Sequence, residues 1–370
     1  MKRNSNLIIL HLPPPIHGAS MVGDFIFKNK QINKKLNNHF VKISMTDNVE
    51  GLMSFKWSKV IKSIALFARV IGLILFKRPR VIYFTPSYKG FAFYRDLILR
   101  QILIFFKYLM GFQIYFHFHT SGIPNYKNNK LHSRLLNYFL KKVHLILLDP
   151  ALEKSFKTYP NVEKIFYLPN SVKDPFSSED FDKYLHEKFE LRNFKKPINV
   201  LYLSNLIKSK GYRHLLRLAT KFRSINFHFA GAFGADDERL FFFNYVRDKK
   251  LNNVFYHGLL RGEEKHNLFK ESDIFALPTR YEYEAFPLCI LEALSYGIPV
   301  ISTDQGAISS IIDENVGIAL SDPDEIDKSL TFLIEKYISK EASKKCRDKY
   351  LKEFSTHKFE KSFIEILQNA

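Results

Sequence analysis

Residues 271–303 read ESDIFALPTRYEYEAFPLCILEALSYGIPVIST, and the order of chemistries along them decides the architecture. Ile274–Leu277 is a short apolar run of strand type, and Val300–Thr303 is a second. Between them, residues 287–296 carry a helical pattern with helix punctuation at both ends. Pro287 suits a first turn, where its missing N–H is harmless, Gly297 suits the position past the last turn, and Pro299 stops continuation. Strand, loop, helix and strand in succession form the unit of a parallel sheet, because parallel strands need a crossover and the crossover helix covers a face of the sheet.

Two glutamates bracket the start of that helix. Glu284 falls in the loop ahead of it and Glu292 about one and a half turns inside. N–H groups around residues 286–288 point out of a helix N-terminus, which is a natural anion site. A diphosphate seated there puts Glu284 within reach of sugar hydroxyls on one side and Glu292 within reach of ribose hydroxyls on the other. Ala285, Phe286, Pro287 and Leu288 are then donor-binding positions.

Outward from this block the same alternation continues. Strand-like runs occupy 7–12, 81–84, 113–119, 144–148, 165–168, 199–204, 226–230 and 253–257, and helical patterns include 21–36, 54–76, 95–110 and 211–222. The expected class is α/β, with parallel sheets covered on both faces. Residues 173–197 are the most polar and least periodic stretch. A boundary there gives domains at 1–180 and 195–354, with a helix near 355–370 free to pack back on the first. Two doubly wound domains facing a cleft follow, with ligands outside the C-terminal ends of the strands.

The chain has 370 residues and a formal charge of +19. Residues 1–148 hold 23 basic and 4 acidic side chains, and the remainder holds 33 of each, so the whole excess lies in the first half. Coding bias acts on both halves and does not explain that skew. An anionic partner surface does. The stretches 54–78 and 95–112 mix lysines and arginines with Ile, Leu, Phe and Val, which suits the interface of an anionic leaflet. No nucleic-acid recognition motif accompanies the charge, so nucleic acid is not expected as a partner. The run 7–12 is short for a secretion signal. The run 64–76 is interrupted by Arg69 and is shorter than the roughly 20 residues a spanning helix needs. Cys289 and Cys346 are too few for a disulfide framework and read as reduced thiols. The expected location is cytoplasmic, peripheral at the inner face of the cell membrane.

The block 253–312, with VFYHGLL and GAISSII flanking the stretch quoted first, resembles the retaining glycosyltransferases of family four, which have the GT-B fold of two Rossmann-like domains. The resemblance extends to NVLYLSNLIKSKG at 199–211, FHFAGAFG at 227–234 and YLPNSV at 167–172. It implies that Glu284 contacts the donor sugar, that Glu292 contacts the ribose and that Lys210 binds the diphosphate. Asn205 stands where the family usually has an arginine, with Lys208, Arg213 or Arg280 as possible substitutes. Gly306 and Ala307 keep a small pair whose backbone approaches the donor, while Ser309 and Ser310 replace the usual Pro-Glu. IYFHFHTSG at 114–122 carries the histidine that faces the donor sugar in the family, with His119 chosen first and His117 second. LIILHLPPPIHGAS at 7–20 is a strand and loop in which His17, Gly18 and Ala19 approach a phosphate or the acceptor.

The implied activity is transfer of a sugar from a UDP- or GDP-linked donor to a saccharide acceptor, carried on a lipid, with retention, in surface polysaccharide assembly. Neither metal nor cofactor is implied, and no His/Cys cluster has metal-ligand spacing. The rivals are a sugar-nucleotide epimerase or inverting transferase of the same fold, and a non-catalytic scaffold that binds sugar nucleotide or membrane.

Overall fold

The computed structural model describes residues 5–14, 18–43, 57–121, 130–156, 162–190 and 196–369. The chain forms two compact units, Met1–Asn170 with Phe359–Ala370, and Ser171–Lys358.

The first unit runs β1 (Asn6–His11), α1 (Gly18–Lys28), α2 (Lys30–Leu36), β2 (Asn38–Ile43), α3 (Trp57–Lys77), β3 (Val81–Phe84), α4 (Gly90–Met110), β4 (Gln113–Phe118), α5 (Lys130–Leu140), β5 (His144–Leu147) and β6 (Ile165–Tyr167). All six strands are parallel, in the order β2-β1-β3-β4-β5-β6, so the strand order reverses between β1 and β3. Because successive strand residues point to opposite faces, Ile82, Phe84, Ile114 and Phe116 enter a core beneath α3, α4 and α5. Their neighbours Val81, Tyr83 and Tyr115 enter a second core. The helical pattern expected over 21–36 is two helices, because Asn29 is a cap: its Oδ1 accepts from Ile32 N at 2.9 Å. Strand β2 was not expected. It follows Asn37 directly, and that residue's left-handed backbone (φ 48°) makes the turn without the usual glycine.

The second unit runs α6 (Ser178–Glu190), β7 (Asn199–Leu203), α7 (Tyr212–Lys221), β8 (Asn226–Ala230), α8 (Asp236–Asp248), β9 (Val254–Tyr256), α9 (Gly262–Glu271), β10 (Ile274–Leu277), α10 (Leu288–Ser295), β11 (Val300–Thr303), α11 (Ile308–Ile311), β12 (Gly317–Leu320), α12 (Ile326–Tyr337) and α13 (Lys340–Lys349). Its parallel sheet has the order β12-β11-β10-β7-β8-β9, the doubly wound order in which direction reverses between β7 and β10. Strands β10 and β11 are buried throughout, as strands covered on both faces must be. The four-residue strand β12 was not expected from its sequence, which has no alternation to mark it.

The units divide between Asn170 and Ser171, ahead of the polar stretch rather than inside it. Helix α6 occupies much of that stretch. Its Phe181, Tyr184 and Leu185 are buried with Phe176 packed against them. Arg347, itself buried, fastens this segment by holding both oxygens of Asp174 at 2.7 Å. The last helix, α14 (Thr356–Gln368), places Phe359, Phe363 and Leu367 in the second core of the first unit. Arg80 donates to the carbonyls of Leu367 and Gln368 at its end, at 2.6 and 2.9 Å.

Candidate active site

In the second unit the loops after β7 and β10 meet where the strand order reverses. The β7 loop ends in a 3₁₀ turn over Lys208–Lys210 and then Gly211, whose φ is +84°. A Cβ at Gly211 would lie 2.0 Å from the carbonyl oxygen of Pro278, so glycine alone lets this loop seat on the end of β10. Ser209 O accepts from Arg280 N at 2.7 Å and from Thr279 Oγ1 at 3.4 Å. Thr303 Oγ1 donates to Thr279 O, and Ser302 Oγ donates to Leu277 O at 2.5 Å, which ties the β10 loop to β11. The loop then turns through Tyr281 N to Thr279 Oγ1 at 3.1 Å and Glu284 N to Tyr281 O at 2.9 Å.

This framework brings Lys210 and Glu284, 74 residues apart, into a direct ion pair between Nζ and Oε2. Glu284 is 8% exposed. Thr279 Oγ1 lies 3.5 Å from the same carboxylate oxygen, and Lys210 Nζ lies 4.7 Å from the centre of the Tyr281 ring. Two charges this far removed from water each depend on the other. Gly306 (φ +65°) backs the pair: a Cβ there would lie 2.1 Å from Glu284 O, and Ala307 N donates to Ala285 O at 3.0 Å.

Pro287 is the N-cap of α10 rather than a first-turn residue, because its ψ of 120° is extended and the helical repeat starts at Leu288. Ala285, Phe286 and Pro287 are buried, and Phe286 packs on Phe354 with ring centres 5.8 Å apart. The half-exposed residues of the first turn are Leu288 and Cys289. Although the residue is half-exposed, loss of water around its sulfur, and the Glu284 carboxylate second, push the Cys289 thiol up to about 12. Glu292 is further along the same helix and holds Lys265 through both oxygens, at 2.7 and 2.8 Å.

Asn205 has an exposed side chain, and its carbonyl accepts from Tyr202 OH at 2.8 Å. Arg213 has partners of its own. Its guanidinium is held by Glu238 at 2.7 Å and lies 3.8 Å over Phe241, which commits it to the packing of α7 on α8. Arg280 is engaged by Asp304 at 3.3 Å and by Ser321 O. Lys208 is exposed, with its backbone N–H on Glu238 Oε1 at 3.0 Å.

In the first unit His117, next to last in β4, is fully buried, with Tyr83 OH hydrogen-bonded to Nδ1 at 2.7 Å. Burial first, and His119 second, hold its pKa well below the usual value. His119, just past the strand, is half-buried, with its ring centre 4.1 Å from that of His117. His117 therefore has the surroundings of a core histidine and His119 the more open position. His17 lies outside the described residues. Gly18 opens α1 and Ala19 follows it, half-buried. A Cβ at Gly18 would meet nothing within 4 Å. Close approach occurs instead at Gly23, where a Cβ would lie 2.1 Å from His11 O, because α1 packs there against β1.

Among the described residues no group of three His, Cys, Asp or Glu side chains is gathered as a metal centre. The triplets Asp180-Phe181-Asp182 and Asp322-Pro323-Asp324 have local roles. Phe181 is buried between the first pair, and Asp322 caps a 3₁₀ turn by accepting from Asp324 N at 2.9 Å. Lys265, Thr279 and Tyr83 were not singled out in the sequence. Each acts through a partner on another element, a pairing no local motif marks.

Residues 185–353 match the family described as Glycosyl transferases group 1. An uncharacterized 41.2 kDa protein in the cps region of Klebsiella pneumoniae is 22% identical, over 96% of both chains. The alpha-galactosylglucosyldiacylglycerol synthase of Streptococcus pneumoniae is 24% identical, over 52% of both. Among solved structures, Anabaena Alr3699/HepE in complex with UDP superposes with a TM-score of 0.71 at 14% identity, covering 99% of this chain and 100% of that one.

Proposed function

We propose that this chain of GT-B fold, whose residues 185–353 match the group 1 glycosyltransferases, is an enzyme that moves a sugar from a UDP- or GDP-linked donor onto a lipid-carried saccharide. The observation that carries this reading is the Lys210–Glu284 pair at the strand-order reversal, beside the first turn of α10. That crevice is where doubly wound sheets take ligands, and a cation beside a helix N-terminus suits a diphosphate.

The resting ion pair implies an exchange of partners. When the donor enters, the Lys210 ammonium turns to the diphosphate, and Glu284 accepts hydrogen bonds from sugar hydroxyls. As the bond from the anomeric carbon to the diphosphate oxygen breaks, the electron pair passes to the diphosphate. Lys210 and the N–H groups of Leu288 and Cys289 stabilise that growing charge. The acceptor hydroxyl forms the new bond to the anomeric carbon, with retention, and its proton leaves with the diphosphate. Because lysine and helix carry the charge, the reaction requires no metal. Glu292 accepts from the ribose. His119 and the loop at His17, Gly18 and Ala19 serve the acceptor side.

The first unit supplies the acceptor and the membrane surface. Helix α3 buries Leu66, Val70 and Ile74, yet a second apolar line of Trp57, Ile61, Ile64 and Leu75 faces outward. Helix α4 exposes Tyr94, Ile98, Phe105 and Leu109 at the same helical spacing. The basic residues Lys62 and Arg69 are exposed beside the α3 line. Apolar lines with a cationic border suit insertion into the headgroup region of an anionic leaflet. Among the described residues no helix is long and apolar enough to cross a membrane, and these exposed lines suit a peripheral attachment, which the reading places at the cytoplasmic face. The named product of the streptococcal relative, a diacylglycerol glycolipid, supports a lipid-borne acceptor, and the cps-region relative supports surface polysaccharide assembly.

Calorimetric titration of UDP-, GDP- and ADP-sugars into the wild type and Glu284→Ala tests the donor site. The wild type is expected to bind one nucleotide class. The variant should keep most of the affinity for the bare nucleoside diphosphate and lose the contribution of the sugar. Absence of binding to every donor would favour the scaffold reading.

A further inference from the structure

Resting on the reading of Glu292 as the ribose acceptor, we infer that Lys265 of α9 is a positioning residue that sets the Glu292 carboxylate for the ribose hydroxyls. An ordinary surface ion pair is loosely held and contributes little. This one differs in three respects. Both carboxylate oxygens are engaged, at 2.7 and 2.8 Å from Nζ. Each side chain is only about a quarter exposed, at 27% and 26%. Both backbones are also locked one turn away, since Phe269 stacks on Tyr296 with ring centres 4.8 Å apart and planes 10° from parallel.

The register explains the fit. Lys265 precedes Phe269 by four residues, Glu292 precedes Tyr296 by four, and residues four apart lie above one another on a helix. The aromatic stack and the ion pair are therefore successive rungs between the same two helices. His266 adds a third tie, Nδ1 to Tyr296 OH at 2.7 Å. A carboxylate has about four lone-pair sites. Lys265 occupies one per oxygen, which leaves capacity for two hydroxyl donors while stopping rotation of the group. The ordering cost of Glu292 is met before the donor arrives, the ordinary effect of preorganisation on affinity.

The test is the affinity of the full-length wild type, Lys265→Met, Lys265→Arg and Glu292→Gln for UDP and GDP and for their 2′-deoxy forms. The wild type should lose about tenfold in affinity when the 2′-hydroxyl is absent, as expected for a hydrogen bond to a charged group. Lys265→Met should bind the ribonucleotide several-fold more weakly and discriminate by no more than about twofold, with Lys265→Arg restoring most of both. A general structural defect would weaken both nucleotides equally and leave the ratio unchanged. If Lys265→Met keeps the wild-type ratio, or binds the ribonucleotide more tightly, while Glu292→Gln loses the ratio, Lys265 has no positioning role and Glu292 keeps its own. If Glu292→Gln also keeps the ratio, or the wild type binds none of the four nucleotides, the ribose role of Glu292 is wrong and the inference about Lys265 falls with it.

Discussion

Lys210 and Glu284 each occupy a place that would be costly without the other, so a change at either has two effects. Lys210→Met should lower kcat by about 10²–10³, the usual consequence of removing one group that stabilises transition-state charge. Thermal unfolding should show a separate loss of about 3 kcal/mol, because Glu284 is left buried and unpaired. Gly306→Ala should act without touching either charge. Its backbone is left-handed, and the new Cβ would meet Glu284 O, so the loop has to move. The backbone conformation alone costs about 1–2 kcal/mol, and donor titration should show weakened binding beyond that loss of stability. His117 predicts a pH effect of definite sign. Its folded pKa lies well below the reference of 6.5, so below that pH the unfolded chain gains a proton that the folded chain does not. This residue's contribution to stability, fully present above the unfolded pKa, is lost as the pH falls below it. Urea unfolding at pH 7.5 and 5.5 should show a smaller difference for His117→Gln than for the wild type. At this scale the sequence singled out Glu284 from its place ahead of a proline-started helix and Lys210 from a resemblance, and the structure pairs the two. It hid Lys265, whose partner is 27 residues away on another helix, and it could not show that Glu238 holds Arg213.

Helices α3 and α4 each carry apolar residues on two sides, one line in the core and one in solvent. An exposed apolar line on two neighbouring helices is unusual for a surface that stays in water. The double variant Ile61→Glu, Ile64→Glu changes only exposed positions, so its stability should stay within about 1 kcal/mol of the wild type. Its binding to vesicles containing phosphatidylglycerol should weaken about tenfold or more, since two buried isoleucines are lost at the interface. Equal binding of variant and wild type in a sedimentation assay would remove these helices from the membrane contact. The basic, apolar composition of this region was legible in the sequence. The two-sided arrangement was not, because periodicity alone does not say which apolar line meets a sheet. Elements defined by strong patterns, such as β3 and β10, coincide with the runs read from the sequence. The strands β2 and β12 escaped notice because one follows a helix without a glycine and the other has four residues and no alternation.

Across the whole molecule, the proposed roles divide as the charge does. The first 148 residues carry the entire excess of positive charge, and the second unit, near neutrality, carries the paired glutamates and Lys210. Alternating strands and helices were enough to expect two parallel sheets, because only parallel sheets need a helix between successive strands. Strand order was beyond reach of the pattern, since it depends on which side each crossover takes. That order is what puts the β7 and β10 loops side by side and so makes a site of residues 74 apart. The central claim is that this site breaks a bond between a sugar and a nucleoside diphosphate and passes the sugar to a lipid-borne acceptor. Transfer of radiolabelled sugar from each UDP- and GDP-linked donor into the organic phase of a bacterial lipid extract tests it most directly. The account predicts that one donor labels the lipid fraction with the wild type and that Lys210→Met and Glu284→Ala reduce the label at least about a hundredfold. Undiminished transfer by either variant, or no transfer from any donor by the wild type, would contradict it.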